Sequence, residues 1–300
     1  MRIDQLLVHR NLASTRSQAQ RLIADGVEWL QGEAWKRVAK NGDEVPDDAQ
    51  VRLLDDAQAR YVSRGGLKLE AALKQVGLSV QGMTCMDVGQ STGGFTDCLL
   101  QHGAKRVFGV DVGSAQLHPQ LRADARVLCL ESCNARTLDV ADVRDACAAQ
   151  AGTGGLFDTQ AVGDAAFAPE FDLIVCDLSF ISQTLVLPAL VPLLKAGGHL
   201  LTLVKPQFEL QPGQVGKGGI VRDAALYAVV EQRLRQTCAE LGLTVLAWLD
   251  SPIAGGDGNR EFLILAGQTA ATRSEPVLSP TNQTTLRDRP KRSGALSPTD

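Results

Sequence analysis

The segment Thr84-Cys85-Met86-Asp87-Val88-Gly89, continued by Ser91-Thr92-Gly93-Gly94-Phe95-Thr96 and the apolar residues Cys98, Leu99 and Leu100, constrains this chain more than any other. It reads as a buried strand, a glycine-rich turn and a helix. Glycines at such a turn let the backbone approach a ligand and supply φ angles closed to other residues. Further on, Arg106-Val107-Phe108-Gly109-Val110-Asp111 reads as a second strand ending in a carboxylate. The alternation continues with strands at Val127–Leu130, Phe171–Asp177, His199–Val204, Val245–Trp248 and Phe262–Ala266. Helices are expected over Leu185–Leu194 and Tyr227–Leu241, with a turn at Gly197-Gly198. Strands alternating with helices call for a parallel sheet covered on both faces. We therefore expect an α/β, doubly wound domain over residues 67–267.

The turn also bears on ligand chemistry. A dinucleotide fold would carry G-x-G-x-x-G to bring a pyrophosphate to the helix N-terminus. Here the order is Gly89-Gln90-Ser91-Thr92-Gly93-Gly94, with Asp87 two residues upstream. Carboxylates beside the loop repel pyrophosphate and suit a ligand with an amino group and a sulfonium, favouring S-adenosylmethionine over NAD. Asp87, Gly89, Ser91, Thr92, Gly93, Gly94, Phe95 and Asp177 are the expected cofactor contacts. Asp111 is placed to accept ribose hydroxyls, as in dinucleotide folds. Asn134 could bond the adenine edge.

Open α/β sheets place their chemistry at the carboxyl ends of strands. Asp177 and Lys205 fall there, and Glu261 opens the last apolar strand. Lys68 lies in the polar stretch Ser63-Arg64-Gly65-Gly66-Leu67-Lys68-Leu69, ahead of the first strand. Spacing alone does not gather these four into one site. Adenine-N6 methylation would call for Asp/Asn-Pro-Pro-aromatic where Asp177-Leu178-Ser179-Phe180 stands. Cytosine-C5 methylation needs a Pro-Cys pair, which the chain lacks. An oxygen acceptor fits better.

Residues 1–56 read as a separate small domain. Ile3, Leu6 and Leu7 share one helical face. Thr15-x-x-Gln18 is a capping-box pattern, and Ala19, Leu22 and Ile23 repeat at helical spacing. Strands are expected at Val27–Leu30, before a Gln31-Gly32 turn, and at Val51–Leu54. Residues 1–42 hold seven basic and four acidic residues, a local net of +3 within a chain of net charge -4. The overall charge excludes a uniformly basic nucleic-acid binder, but not a local basic face, since phosphate contacts need only a few placed cations. Arg2, Arg10, Arg16 and Arg21 are the candidate RNA contacts, joined by Arg60 and Arg64 in the connector 57–66, which could instead link the domains. The order Arg2-Ile3-Asp4-Gln5-Leu6-Leu7, Ser14-Thr15-Arg16-Ser17-Gln18-Ala19, Leu22-Ile23, Gly26-Val27 and Gly32 resembles the S4 RNA-binding domain.

No apolar stretch is long enough to span a bilayer, and the N-terminus has no apolar signal core. The seven cysteines include no C-x-x-C pair, as expected of reduced thiols in a cytoplasmic protein. Paired zinc-ligand spacings are absent, so no metal is expected. Residues 147–170, rich in Gly and Ala, read as a surface insertion. The Pro-, Ser- and Thr-rich tail 268–300 is expected to be disordered.

Taken with Tyr61-Val62-Ser63-Arg64-Gly65-Gly66-Leu67-Lys68, Cys176-Asp177-Leu178-Ser179-Phe180-Ile181-Ser182 and Val204-Lys205-Pro206-Gln207-Phe208-Glu209, the glycine-rich motif closely resembles the TlyA family. These are S4-domain ribosomal RNA methyltransferases with an FtsJ-like catalytic domain, historically called hemolysin A. The resemblance covers residues 1–267. It implies a Rossmann-like domain that uses S-adenosylmethionine to methylate a ribose 2′-oxygen, on cytidine, in ribosomal RNA. It also implies a catalytic tetrad at Lys68, Asp177, Lys205 and Glu261. Lys205 is the candidate base, with Asp177 and Glu261 orienting the two lysines. Gln90 stands where the family usually has Ala. Ribosomal RNA or ribosomal subunits are the expected partners, with no membrane and no obligate protein partner evident. The competing classes are a membrane-active hemolysin, which needs an exposed amphipathic or spanning segment, and a catalytically silent RNA-binding assembly factor.

Overall fold

The computed structural model describes residues 1–10, 12–13, 15–54, 60–149, 170–255 and 258–268. The N-terminal domain opens with helices α1 (Ile3–His9) and α2 (Arg16–Gly26), followed by strands β1 (Val27–Gln31), β2 (Ala34–Arg37) and β3 (Val51–Leu53). The strands form an antiparallel sheet in the order β2-β1-β3. Ile3, Leu6 and Leu7 meet Ala19, Leu22, Ile23 and Val27 in one apolar core. Thr15 Oγ1 accepts from the Gln18 N–H at 3.1 Å, closing the first turn of α2. The Gln18 side-chain amide donates to the Tyr61 carbonyl at 3.2 Å and so reaches out of the domain. Strand β2 was not expected, because Ala34-Trp35-Lys36-Arg37 lacks an apolar alternation. Only Trp35 is half-buried there, and the charged residues suit an exposed edge strand.

The larger domain runs through α3 (Gly65–Val76), β4 (Thr84–Val88), α4 (Gly94–Gln101), β5 (Arg106–Val110), α5 (Pro119–Arg122), β6 (Val127–Leu130) and α6 (Val140–Ala148). It continues with β7 (Phe171–Cys176), α7 (Leu187–Leu190), β8 (Leu194–Val204), α8 (Pro206–Glu209), α9 (Ala225–Glu240), β9 (Leu243–Asp250) and β10 (Phe262–Gln268). Its sheet has the order β6-β5-β4-β7-β8-β10-β9. The pairings from β6 across to β8 are parallel, while β10 runs antiparallel to both β8 and β9. This is the α/β, doubly wound architecture expected from the alternating pattern.

The period of two along each strand divides the core. Met86, Val88, Phe108, Ile174 and Leu200 face the side covered by α6, α7 and α9. Cys85, Val107, Leu173, Val175 and Leu201 face the side covered by α3, α4 and α5. Asp87 shares the second face and is fully buried.

Several boundaries differ from the sequence reading. Lys68 sits in the first turn of α3, a helix that already begins at Gly65, inside the expected connector. Cys147 and Ala148 close α6, a helix that was not foreseen. Its N-cap Asp139 and Asp142 form a capping box. Of the expected insertion, residues 150–169 lie outside the described residues. The helix expected over Leu185–Leu194 is three short pieces, because Pro188 and Pro192 each restart the backbone without an N–H to donate. Gly197 and Gly198 lie within β8. Gln268 ends β10, and residues 269–300 of the expected disordered tail lie outside the described residues.

The connector is fastened to the larger domain. Val62 N donates to Asp97 Oδ2 at 2.8 Å, and the Gln101 amide donates to the Arg60 carbonyl at 2.8 Å. Tyr61 is buried against Gly66, where a Cβ would lie 2.3 Å from the tyrosine ring.

Candidate active site

The strand order reverses between β4 and β7, so the helices that follow them leave on opposite faces and a crevice opens at their carboxyl ends. A cavity of about 250 Å³ occupies this crevice. Its floor is the turn after β4, with Gly89, Gln90, Ser91, Thr92, Gly94 and Phe95 in the lining. Asp177 and Ser179 after β7, Lys205 after β8, and Ser63 and Gly65 at the start of α3 complete the wall. Gly89 has φ 81°, and a Cβ there would lie 2.6 Å from the Asp177 carbonyl oxygen. Only glycine lets the two loops meet this closely.

Two ion pairs flank the crevice. Lys205 Nζ lies 2.6 Å from Asp177 Oδ1 in an ion pair and donates to Ser179 Oγ at 2.9 Å. Lys68 Nζ donates to Glu261 Oε2 at 2.5 Å, with both side chains largely buried. The antiparallel course of β10 explains how Glu261 arrives here. Phe262 pairs with Val204, so the residue before β10 lies beside the residue after β8. Lys68, Asp177, Lys205 and Glu261 thus come from α3 and the ends of three neighbouring strands. Asp177 and Lys205 line the cavity, whereas Lys68 and Glu261 do not.

Beneath the turn, Asp87 Oδ2 accepts from Thr96 N at 2.9 Å and Thr96 Oγ1 at 2.7 Å. Its Oδ1 is buried with no partner among the described residues. Burial pushes this carboxyl up to about 7; Asp177 and Asp111 push the same way, and the Thr96 bonds oppose. Gln90 is also buried, and its amide donates to Thr96 Oγ1 at 2.8 Å. Asp111 Oδ2 accepts from Ser91 N at 2.6 Å and Oδ1 from Gly113 N at 2.7 Å, tying the glycine-rich turn to the end of β5. Asn134 is exposed and accepts from Arg136 N at 3.0 Å. Asp87, Gly93, Asp111 and Asn134 stand outside the cavity lining, behind or beside it.

Arg2, Arg10, Arg16 and Arg60 are already engaged. Arg2 grips the buried Asp4 with two hydrogen bonds of 3.0 Å, and Arg16 adds one of 2.9 Å. Together they hold the Asp4 carboxyl far below the usual carboxylate range. Arg10 donates to the carbonyls of Ala49 and Asp47, and Arg60 pairs with Glu70 at 2.8 Å. Arg64 is the N-cap residue of α3. Arg21 lies on α2, and its side chain is outside the described residues. Arg2 and Arg16 keep exposed guanidinium edges.

Three residues at this site carried no chemical signal in the sequence. Phe180 is 89% exposed, has φ 65° and packs on Phe208 with ring centroids 5.1 Å apart. An exposed aromatic held at positive φ is strained and points to a constraint beyond packing. Glu209, four residues after Lys205, is buried. Only its bonds to a distant loop set it apart from an ordinary helix-end acid.

The sequence pattern of the FtsJ-like methyltransferase family matches residues 61–268, and that of the S4 domain matches residues 1–26. The Bacillus subtilis protein YqxC is 43% identical over 88% of this chain and 84% of its own. The 16S/23S rRNA (cytidine-2′-O)-methyltransferase TlyA of Mycobacterium tuberculosis is 39% identical over 89% of this chain and 90% of its own. A solved structure of a hemolysin-named protein from Streptococcus thermophilus superposes with a TM-score of 0.63 at 39% identity, over 90% of this chain and 88% of that one.

Proposed function

The chain belongs to the FtsJ-like methyltransferase family, with an S4 domain at its N-terminus, and from that premise we propose that it is a cytoplasmic enzyme that methylates the ribose 2′-oxygen of cytidine in ribosomal RNA. The residues at the crevice fit S-adenosylmethionine. Asp87 keeps a buried oxygen without a partner, and Asp177 and Asp111 add further acceptors near an amino- and sulfonium-bearing ligand. The Gly89–Phe95 turn, Asp87 and Asp177 would hold it, with Asp111 on the ribose and Asn134 toward the adenine. Both Asp111 oxygens retain lone pairs beyond their backbone bonds. When bound, the cofactor supplies an electrophilic methyl on a cationic sulfonium.

The observation that carries the reading is Lys205, held by Asp177 and Ser179 at the wall of the cavity. A ribose hydroxyl is a weak nucleophile, and a base within hydrogen-bond reach can take its proton as the methyl transfers. Lys205 is placed to be that base. Asp177 and Ser179 fix its direction, and the Lys68–Glu261 pair buttresses the far side. Arg2, Arg10, Arg16 and Arg21 of the S4 domain, with Arg60 and Arg64 of the connector, would bring the RNA to the site.

The test is transfer of labelled methyl from S-adenosylmethionine to ribosomal RNA, with the modified ribose mapped in RNA treated with and without the protein. Lys205→Ala should lower transfer about 100-fold or more while binding of S-adenosylhomocysteine persists. Full activity in that variant would remove Lys205 from the mechanism. Methylation on a base would overturn the choice of acceptor.

A further inference from the structure

We propose that Glu209 is a positioning residue that latches the loop carrying Lys205 to the loop carrying Asp177, and so sets the reach of the base. The proposal rests on the methyl-transfer reading above. Glu209 is 3% exposed. Its Oε2 accepts from Ser182 Oγ at 2.5 Å and its Oε1 from Gln183 N at 2.7 Å. Ser182 lies five residues after Asp177, and Glu209 lies four after Lys205. Each catalytic residue is thus joined to the other by a short chain segment and one carboxylate. Further bonds brace the latch from behind. Arg233 of α9 donates to the Glu209 carbonyl, and the Gln183 amide donates to Leu203 O at 3.2 Å in β8. On the outer side, Phe180 and Phe208 pack across the same two loops. The Lys205 contacts at 2.6 and 2.9 Å therefore depend on two loops whose relative placement Glu209 fixes.

A buried carboxylate accepting from a hydroxyl and a backbone N–H constrains both groups strongly. Glutamine keeps the connections, since its oxygen can accept from Gln183 N and its amide can donate to Ser182 Oγ. Alanine leaves the Gln183 N–H buried and unpaired.

The experiment compares full-length wild type, Glu209→Ala and Glu209→Gln in three measurements. These are S-adenosylhomocysteine affinity by calorimetry, single-turnover methyl transfer to ribosomal RNA, and the rate of Lys205 acetylation by mass spectrometry. Glu209→Ala should slow single turnover on the order of 10- to 100-fold, as expected for a misplaced catalytic group. It should change affinity less than about twofold and speed acetylation of Lys205 as its contacts loosen. Glu209→Gln should recover most of the rate. An unchanged rate in Glu209→Ala, an affinity loss matching the rate loss, or no recovery by Gln would each overturn the latch. If Glu209→Ala does not fold, Ser182→Ala carries the test with the same expected split. If the wild type binds S-adenosylhomocysteine yet transfers no methyl to RNA, the functional reading fails on its own. Acetylation then decides the latch: faster in Glu209→Ala supports it, and an equal rate overturns it.

Discussion

Asp87 makes the folded protein sensitive to pH in a direction opposite to that of most carboxylates. Folded, it titrates near 7 because it is buried under the glycine-rich turn. Unfolded, it should titrate near an ordinary ~3.9. Between those values the folded chain holds a proton that the unfolded chain has released. The unfolded state then binds fewer protons, so stability falls as pH rises across the window. At ~1.4 kcal/mol per pH unit, the loss accumulates to about 4 kcal/mol by pH 7 and levels off above it. Asp87→Asn removes the titration while keeping an acceptor for Thr96 N. Urea unfolding of both proteins from about pH 5 to pH 8.5 measures the difference. The wild type should lose stability relative to Asp87→Asn up to pH 7 and run parallel to it beyond. A stability difference that stays constant over this range would refute the burial argument.

Lys68→Met leaves Glu261 buried and unpaired, and should destabilise the larger domain by about 3–5 kcal/mol in urea unfolding; adding Glu261→Gln should restore part of that loss. Gly89→Ala forces a side chain into φ 81° and against the Asp177 carbonyl. It should lower the melting temperature and weaken S-adenosylhomocysteine binding in titration, and an unchanged variant would mean that the two loops move apart freely. RNA affinity should fall with salt, and replacing Lys36 of β2 and the nearby Lys40, two exposed cations of the N-terminal domain, by Gln should reduce the slope of log K against log salt by about 0.7–0.9 per lost phosphate contact, read by fluorescence anisotropy.

The sheet of the larger domain was legible because its central strands are continuous apolar runs. Phe171–Cys176 reads as a strand before any packing is known, and the residue after each such run lies at the sheet's carboxyl edge. That is why Asp177 and Lys205 could be singled out. The pairing of Lys68 with Glu261 could not, since it joins residues far apart in sequence through the register of β10 on β8. Pro188 and Pro192 are visible in the sequence, yet the apolar content of Leu185–Leu194 favours a single helix until the missing N–H groups are counted. Strand β2 was hidden because an exposed edge has no apolar face to reveal it. The arginines of the N-terminal domain show the same limit. Composition counts Arg2 and Arg16 as basic, but only the fold reveals that both close on Asp4.

The reversed direction of β10 has a practical consequence. The strand begins with Phe262 opposite Val204, next to Lys205, and runs to Gly267 opposite His199, at the other end of the sheet. Six residue steps of strand carry the chain roughly 20 Å from the reaction crevice. A fluorophore or surface tether attached at Gln268 therefore starts at the end of the sheet away from that crevice. A tether placed there leaves the crevice facing solution, whereas one at Met1 starts on the S4 domain.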